Sequence, residues 1–315
     1  MGAHAIPGVR YDLRELIALR GHVPALAQLS QRRSSDALSG AHASPFRGRG
    51  MEYAESRPYA NGDDVRHIDW RVTARTGRTH TKLFQPERER TTGIIYDRSA
   101  AMAFGTRACF KSVQAARLAA LMVWLALRDG HRVAAAGTGA VRELMPPLGG
   151  RRGVLRVLDA LVRWQPEIGA QALGTEADHA ALAVDGMQRA LRPGSQLLFL
   201  LDAGSVDARL ASSLQRLRQH HDLAVCLLVD PIELTPPPQA LYRIGDGREV
   251  GNLHLETALA QRHWQAHFAQ LHASAREHLT RAGARVARVS TDADPVDALA
   301  RLLRGQVAPV MERPS

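Results

Sequence analysis

The chain has 315 residues, 45% of them hydrophobic and only 5% aromatic, enough for one large α/β domain or two small ones around an aliphatic core. Its 41 Lys and Arg against 31 Asp and Glu leave a formal charge of +10, but only Lys82 and Lys111 are lysine, and the arginines are mixed with acidic residues rather than gathered on one face, so nucleic acid is not the expected partner. No apolar run reaches the ~18 residues of a membrane span, the N-terminus lacks a signal-peptide pattern, and Cys109 and Cys226 have no metal-type spacing; the expectation is a cytoplasmic protein with two reduced thiols and no integral membrane segment.

Residues 1–45 read as an N-terminal arm, with a helix over Val9–Arg20 (Leu13, Leu16, Ile17 and Leu19 at helical spacing) and an exposed Ser-, Arg- and Gly-rich linker from Gln31 to Pro45. Residues 46–90 form an Arg-rich subdomain of loops and strands. Met51–Tyr59 is extended, Asp63 or Asp64 caps a short helical turn running to Trp70, and His80–Phe84 is a strand. Trp70, Tyr53 and Tyr59 are expected to pack beneath this block.

From residue 91 to about 308 strands and helices alternate, the pattern of a doubly wound, mostly parallel sheet. Strands are predicted over Thr92–Tyr96, Arg132–Ala136, Val141–Leu144, Leu197–Leu201, Leu223–Val229 and Arg285–Val289. Helices are predicted over Phe110–Arg128, Gly153–Trp164, Asp178–Leu191, Ser205–His220, Leu255–Arg281 and Pro295–Arg304. Pro236–Pro238 opens a loop region, and the histidines of the Leu255–Arg281 helix are expected at the surface.

The most informative segment is Gly93–Met102, G-I-I-Y-D-R-S-A-A-M: an apolar strand ending in Asp97, with Ser99 two places on. In open α/β sheets the carboxyl ends of strands are where ligands bind. The pattern resembles D-x-S-x-S, the first motif of the metal-ion-dependent adhesion site of von Willebrand factor A domains, with Ala101 where the second serine belongs. That resemblance implies oxygen ligands from Asp97, Ser99, Thr175 and Asp202 for Mg²⁺ or another divalent cation, in a site made degenerate by Ala101. Without a metal, Asp97 and Ser99 would serve only to cap the following helix.

Longer motifs widen the resemblance: R-G-R-G-M-E-Y at Arg47–Tyr53, R-P-Y-A-N-G-D-D-V-R-H-I-D-W at Arg57–Trp70, T-A-R-T-G at Thr73–Gly77 and K-L-F-Q-P-E-R-E at Lys82–Glu89. With them the chain resembles domain-of-unknown-function family 58, from about Ser39 to Arg304. The resemblance implies a von Willebrand factor A-like α/β fold behind a loop-rich N-terminal subdomain. It also implies a non-catalytic adaptor working beside a MoxR-type AAA+ ATPase and a client protein. Two alternatives stand beside it: a metal-dependent hydrolase using Asp63, Asp64, His67 and Asp69, or a nucleic-acid binder using the Arg47–Arg90 block. No G-x-S-x-G elbow or phosphate loop is present. The plain reading of the Asp63–Asp69 cluster is a capped turn whose carboxylates pair with Arg57, Arg66 or Arg75.

Overall fold

The computed structural model describes residues 7–36, 51–60, 63–86, 90–139, 143–166, 176–245 and 250–305. In chain order the elements are α1 (Leu13–Ala18), α2 (Val23–Asp36), β1 (Met51–Pro58), α3 (Trp70–Thr76), β2 (His80–Pro86), β3 (Thr91–Tyr96), α4 (Lys111–Arg128), β4 (Arg132–Gly137), β5 (Glu143–Leu148), α5 (Gly150–Arg163), α6 (Glu176–Ala190), β6 (Gln196–Asp202), α7 (Ala208–Arg218), β7 (Asp222–Val229), α8 (Pro231–Leu234), β8 (Leu241–Gly245), β9 (Val250–His254), α9 (Ala258–Arg281), β10 (Arg285–Ser290) and α10 (Pro295–Leu303). They belong to two compact units, one within His42–Glu89 and one made of everything described before and after it.

The larger unit is a mixed α/β layer structure. Its six-stranded sheet runs β10-β7-β6-β3-β4-β5, parallel throughout except for the antiparallel edge strand β5. The chain winds outward from β3 to β4 and β5, then returns to the other side of β3 with β6. The winding therefore reverses between β3 and β6, where Asp97 and Asp202 end their strands. The central strands are apolar on both faces, as doubly covered strands must be. Leu198 and Leu200 point into one core with Tyr96, while Leu197, Phe199 and Leu201 point into the other with Ile95. Gly93 permits this contact: a Cβ there would meet Leu197 Cδ2 at 2.4 Å.

The two N-terminal helices are part of this unit. Tyr11, Leu16, Val23, Leu26 and Ala27 join the core on the α4 face, and Trp124 Nε1 donates to the Leu16 carbonyl at 3.0 Å. That cover explains why α4 is apolar nearly all round, a composition suited only to a buried helix. Where the sequence reading places a linker from Gln31, α2 continues to Asp36.

A second departure follows the triple proline. With α8 lying just ahead of the prolines, the predicted loop contains an antiparallel hairpin, β8–β9, before α9 begins at Ala258. Prolines exclude a central strand but not a separate two-stranded ribbon.

In the smaller unit β1 and β2 pair antiparallel with a register shift between Tyr53 and Glu55. The single helical turn expected to run through Trp70 is two elements. Asp64 caps a 3-10 turn, Val65–His67, and Asp69 caps α3, which Gly77 ends in the left-handed conformation at φ 72°. Trp70 is therefore the first residue of a helix and is 70% exposed, not packed beneath the block. Tyr59 is half-buried and donates to the Asp63 carbonyl, while the Tyr53 side chain lies outside the described residues.

Candidate functional site at the carboxyl edge of the sheet

Asp97, Ser99 and Asp202 come together at the reversal point between β3 and β6; Gly174 and Thr175 lie outside the described residues. Asp97 is fully buried and acts as an acceptor hub. Its Oδ1 receives Ser99 N at 2.9 Å and Thr138 Oγ1 at 3.2 Å, and its Oδ2 receives Asp202 N at 2.9 Å and Ser205 Oγ at 2.6 Å. Four donors from three loops thus close on one carboxylate. Burial raises its pKa above the usual carboxylate range, against the lowering effect of those hydrogen bonds. The Ser99 hydroxyl is also buried and has no hydrogen-bond partner, and Ala101 offers none.

Asp202 faces the other way. Its Oδ1 accepts Gly204 N at 2.7 Å, and its Oδ2 lies 2.6 Å from the Lys111 ammonium. Lys111 also donates to Glu233 Oε1, which the capping box of α8 holds in place with Asp230. All three side chains are nine-tenths or more buried. Burial alone would lower the Lys111 pKa, but the two carboxylates outweigh it and hold the ammonium above its ordinary value. A cation in the first turn of a helix also opposes the helix dipole; two carboxylates beside it answer that cost.

Asp230, fully buried at the end of β7, ties the neighbouring loops together. It accepts Thr106 N at 2.9 Å and Thr291 Oγ1 at 2.8 Å, and it bonds the Thr106 hydroxyl as well. His272 on α9 is buried, contrary to the surface position expected for the histidines of this helix. Its Nε2 stands 3.4 Å from Glu233 Oε2 without the alignment of a hydrogen bond.

Above Lys111, Asp202 and Glu233 opens a cavity of about 560 Å³. Its walls include Phe104 and Phe110 from the β3–α4 connection, Ile244 from the hairpin, and Trp264 and Phe268 from α9. Trp264 and Phe268 are 4.8 Å apart, and Trp264 Nε1 donates to the Ile232 carbonyl. The Lys111 ammonium lies 6.0 Å from the Phe104 ring centre, within cation–π range.

Sequence reasoning missed Lys111, Glu233, Thr138, Ser205 and Asp230. One signal was available for Lys111: in a chain whose basic residues are nearly all Arg, it is one of two lysines. Asp230 and Glu233 carried another, the three-residue spacing of a capping box with Pro231 inside it; Thr138 and Ser205 carry no local mark, because their partner Asp97 is distant in sequence.

The second candidate cluster lies in the smaller unit. Asp63 pairs with Arg57 at 2.6 Å, Asp64 with Arg66 at 2.7 Å, and Asp69 accepts Ser56 Oγ and the α3 cap amide of Val72. The hydrogen bond from Arg66 holds the Asp64 carboxyl down at about 2. These are the capped-turn roles. Among the described residues no group of three or more His, Cys, Asp or Glu side chains is placed to hold a metal ion.

The profile of the family described as "Protein of unknown function DUF58" matches residues 55–278. Uncharacterized protein Rv1480 of Mycobacterium tuberculosis and uncharacterized protein Mb1516 of Mycobacterium bovis are each 31% identical over 202 residues, covering 64% of this chain and 62% of theirs. Solved structures similar to the chain include BatB from Bacteroides thetaiotaomicron, at 13% identity and TM-score 0.44, over 69% of this chain and 98% of that one. A von Willebrand factor type A protein from Catenulispora acidiphila matches at 14% identity and TM-score 0.38, over 72% and 43%.

Proposed function

Because this chain belongs to the DUF58 family, we propose that it is a non-catalytic, von Willebrand factor A-like adaptor of the cytoplasm. Its partner is a MoxR-type AAA+ ATPase acting on a client complex. The observation that carries the reading is the aromatic-walled cavity at the reversal point of the sheet, with exposed apolar side chains beside it. Leu241, Ile244 and Val250 of the hairpin and Leu259 at the start of α9 are all more than a third exposed. Apolar surface gathered at one edge marks interaction sites on soluble proteins.

The polar groups beneath support binding over chemistry. Ser205 donates to Asp97, which is buried and already holds three other donors, so neither is arranged as a nucleophile and its base. Among the described residues no helix is long and apolar enough to cross a membrane.

The test is direct binding of the purified chain to a purified MoxR-type ATPase from the same genome, by biolayer interferometry. Micromolar binding weakened about tenfold or more by Ile244→Asp or Phe268→Ala is expected, the size of effect seen for apolar anchors at interfaces. No binding at ~100 μM, a level at which such transient complexes are still populated, or equal binding by both variants, would sink the reading.

A further inference from the structure

We infer that Lys111 is the built-in cation of this crevice, so that the crevice binds no divalent metal and instead receives an arginine side chain from a partner. The inference deepens the adaptor reading and rests on it for the source of that arginine.

The described oxygens that the adhesion-site resemblance assigns to a metal, those of Asp97, Ser99 and Asp202, do not fit one here. Both oxygens of Asp97 hold two protein donors each, and those of Asp202 hold Gly204 N and the Lys111 ammonium. Ala101 removes a further hydroxyl, and among the described residues of the set only Ser99 Oγ is buried without a partner. A hard divalent cation can keep several waters among its roughly six oxygens, but it is held through one or two carboxylates free to ligate it. One placed on Asp202 would also stand against an ammonium already bonded to the same carboxylate. A lysine suits this role where an arginine would not: its head is a compact point charge, whereas the guanidinium is a broad planar fork. The chain keeps lysine here although 39 of its 41 basic residues are Arg.

The charge left over decides what the crevice attracts. Two carboxylates, Asp202 and Glu233, face one ammonium, which leaves one formal negative charge on the floor, with the His272 ring 3.4 Å from Glu233 counted as neutral. The walls are Phe104, Phe110, Trp264 and Phe268. An acidic side chain, the usual ligand of a metal-bearing site, would meet repulsion there. An arginine carries an apolar stem for the aromatic walls and a flat cation that stacks on their faces above the negative charge of the floor.

Calorimetric titration of the full chain tests both halves without the ATPase. Mg²⁺ and Mn²⁺ should give no saturable heat. N-acetylarginine amide should bind with a dissociation constant of ~1–10 mM, as befits a ligand of its size. It should bind about tenfold or more tightly than the neutral citrulline analogue, and Phe268→Ala should weaken it by a similar factor. In Lys111→Met the cation is gone, so Mg²⁺ should raise the melting temperature of that variant and not of the parent; if the variant does not fold, the parent titrations decide alone. Saturable metal binding by the parent, equal binding of arginine and citrulline probes, preference for N-acetylaspartate amide, or no arginine binding at ~50 mM, well above the expected constant, would overturn the inference. An ATPase that fails to bind while the arginine probe succeeds would instead count against the adaptor reading.

Discussion

Asp63, Asp64 and Asp69 in the smaller unit and Asp97, Asp202 and Glu233 in the larger one use the same chemical group for different ends. In the first set Asp63 and Asp64 lie near the surface and Asp69 is buried; all three lie on or beside a 3-10 turn and a helix start, and each carboxylate is satisfied by residues within a few positions in the chain, except for the bond from Ser56 to Asp69. The second set is buried and, beside its short-range cap bonds, has partners from far away: Lys111 is 91 positions from Asp202 and 122 from Glu233. Clustered acidic residues therefore say little by themselves. Whether their partners are local or come from distant elements decides if they trim a turn or organise a site.

The comparison can be broken by substitution. The largest effect is expected for Asp97→Ala, which strands four donors in a dry interior. At about 1–3 kcal/mol for each unsatisfied group, with partial relaxation, the loss should reach about 3–5 kcal/mol, read from the urea midpoint. Asp97→Asn, which keeps one acceptor oxygen, should lose less. A loss under about 1 kcal/mol, the ordinary surface scale, would show the hub to be loosely built.

Next comes the ion cluster. Lys111→Met leaves two buried carboxylates without their cation and should cost about 3–5 kcal/mol. The triple change Lys111→Met, Asp202→Asn, Glu233→Gln should recover most of that, because the buried charges go together. A triple variant as unstable as the single one would mean that Lys111 contributes by packing and not by charge.

In the smaller unit the effects should shrink. Trp70→Ala, at an exposed helix start, should change stability by no more than about 0.5 kcal/mol; a larger loss would mean that its ring is covered in solution. The smallest effect belongs to Arg66→Ala. Asp64 is held down at about 2 by Arg66, so its stabilising pair is complete above the unfolded carboxyl value of 3.8 and is lost as pH falls through about 2. Removing Arg66 should move the Asp64 titration, followed by carboxyl NMR, up towards 3.8 with no measurable change in the urea midpoint. An unmoved titration would assign the shift to the Asp64 cap bonds instead.

Much of the fold was legible in the residues. Strands β3, β4, β6 and β7 are short apolar runs and α4 shows helical periodicity, both local signals, so these fall within a residue or two of their predicted bounds, whereas β5, predicted over Val141–Leu144, runs over Glu143–Leu148 through two prolines. The position of Asp97 and Asp202 at strand ends was legible for the same reason. Hairpin β8–β9 was not, because it follows three prolines and keeps Leu241, Ile244 and Val250 exposed, so no buried face marks it. Nor was the docking of α1 and α2 onto α4, which depends on a face completed only when the helices meet.

By itself the sequence determined the alternation of strands and helices and the two aspartates that close β3 and β6, because apolar period and turn residues act over a few positions. Only the tertiary structure decided that Thr138 and Ser205 converge on Asp97, that Lys111 sits between Asp202 and Glu233, and that aromatic side chains from α9 and the β3–α4 connection wall the space above. The physical reason is desolvation. A buried charge must find its partner wherever the fold brings one, and that requirement leaves no pattern along the chain.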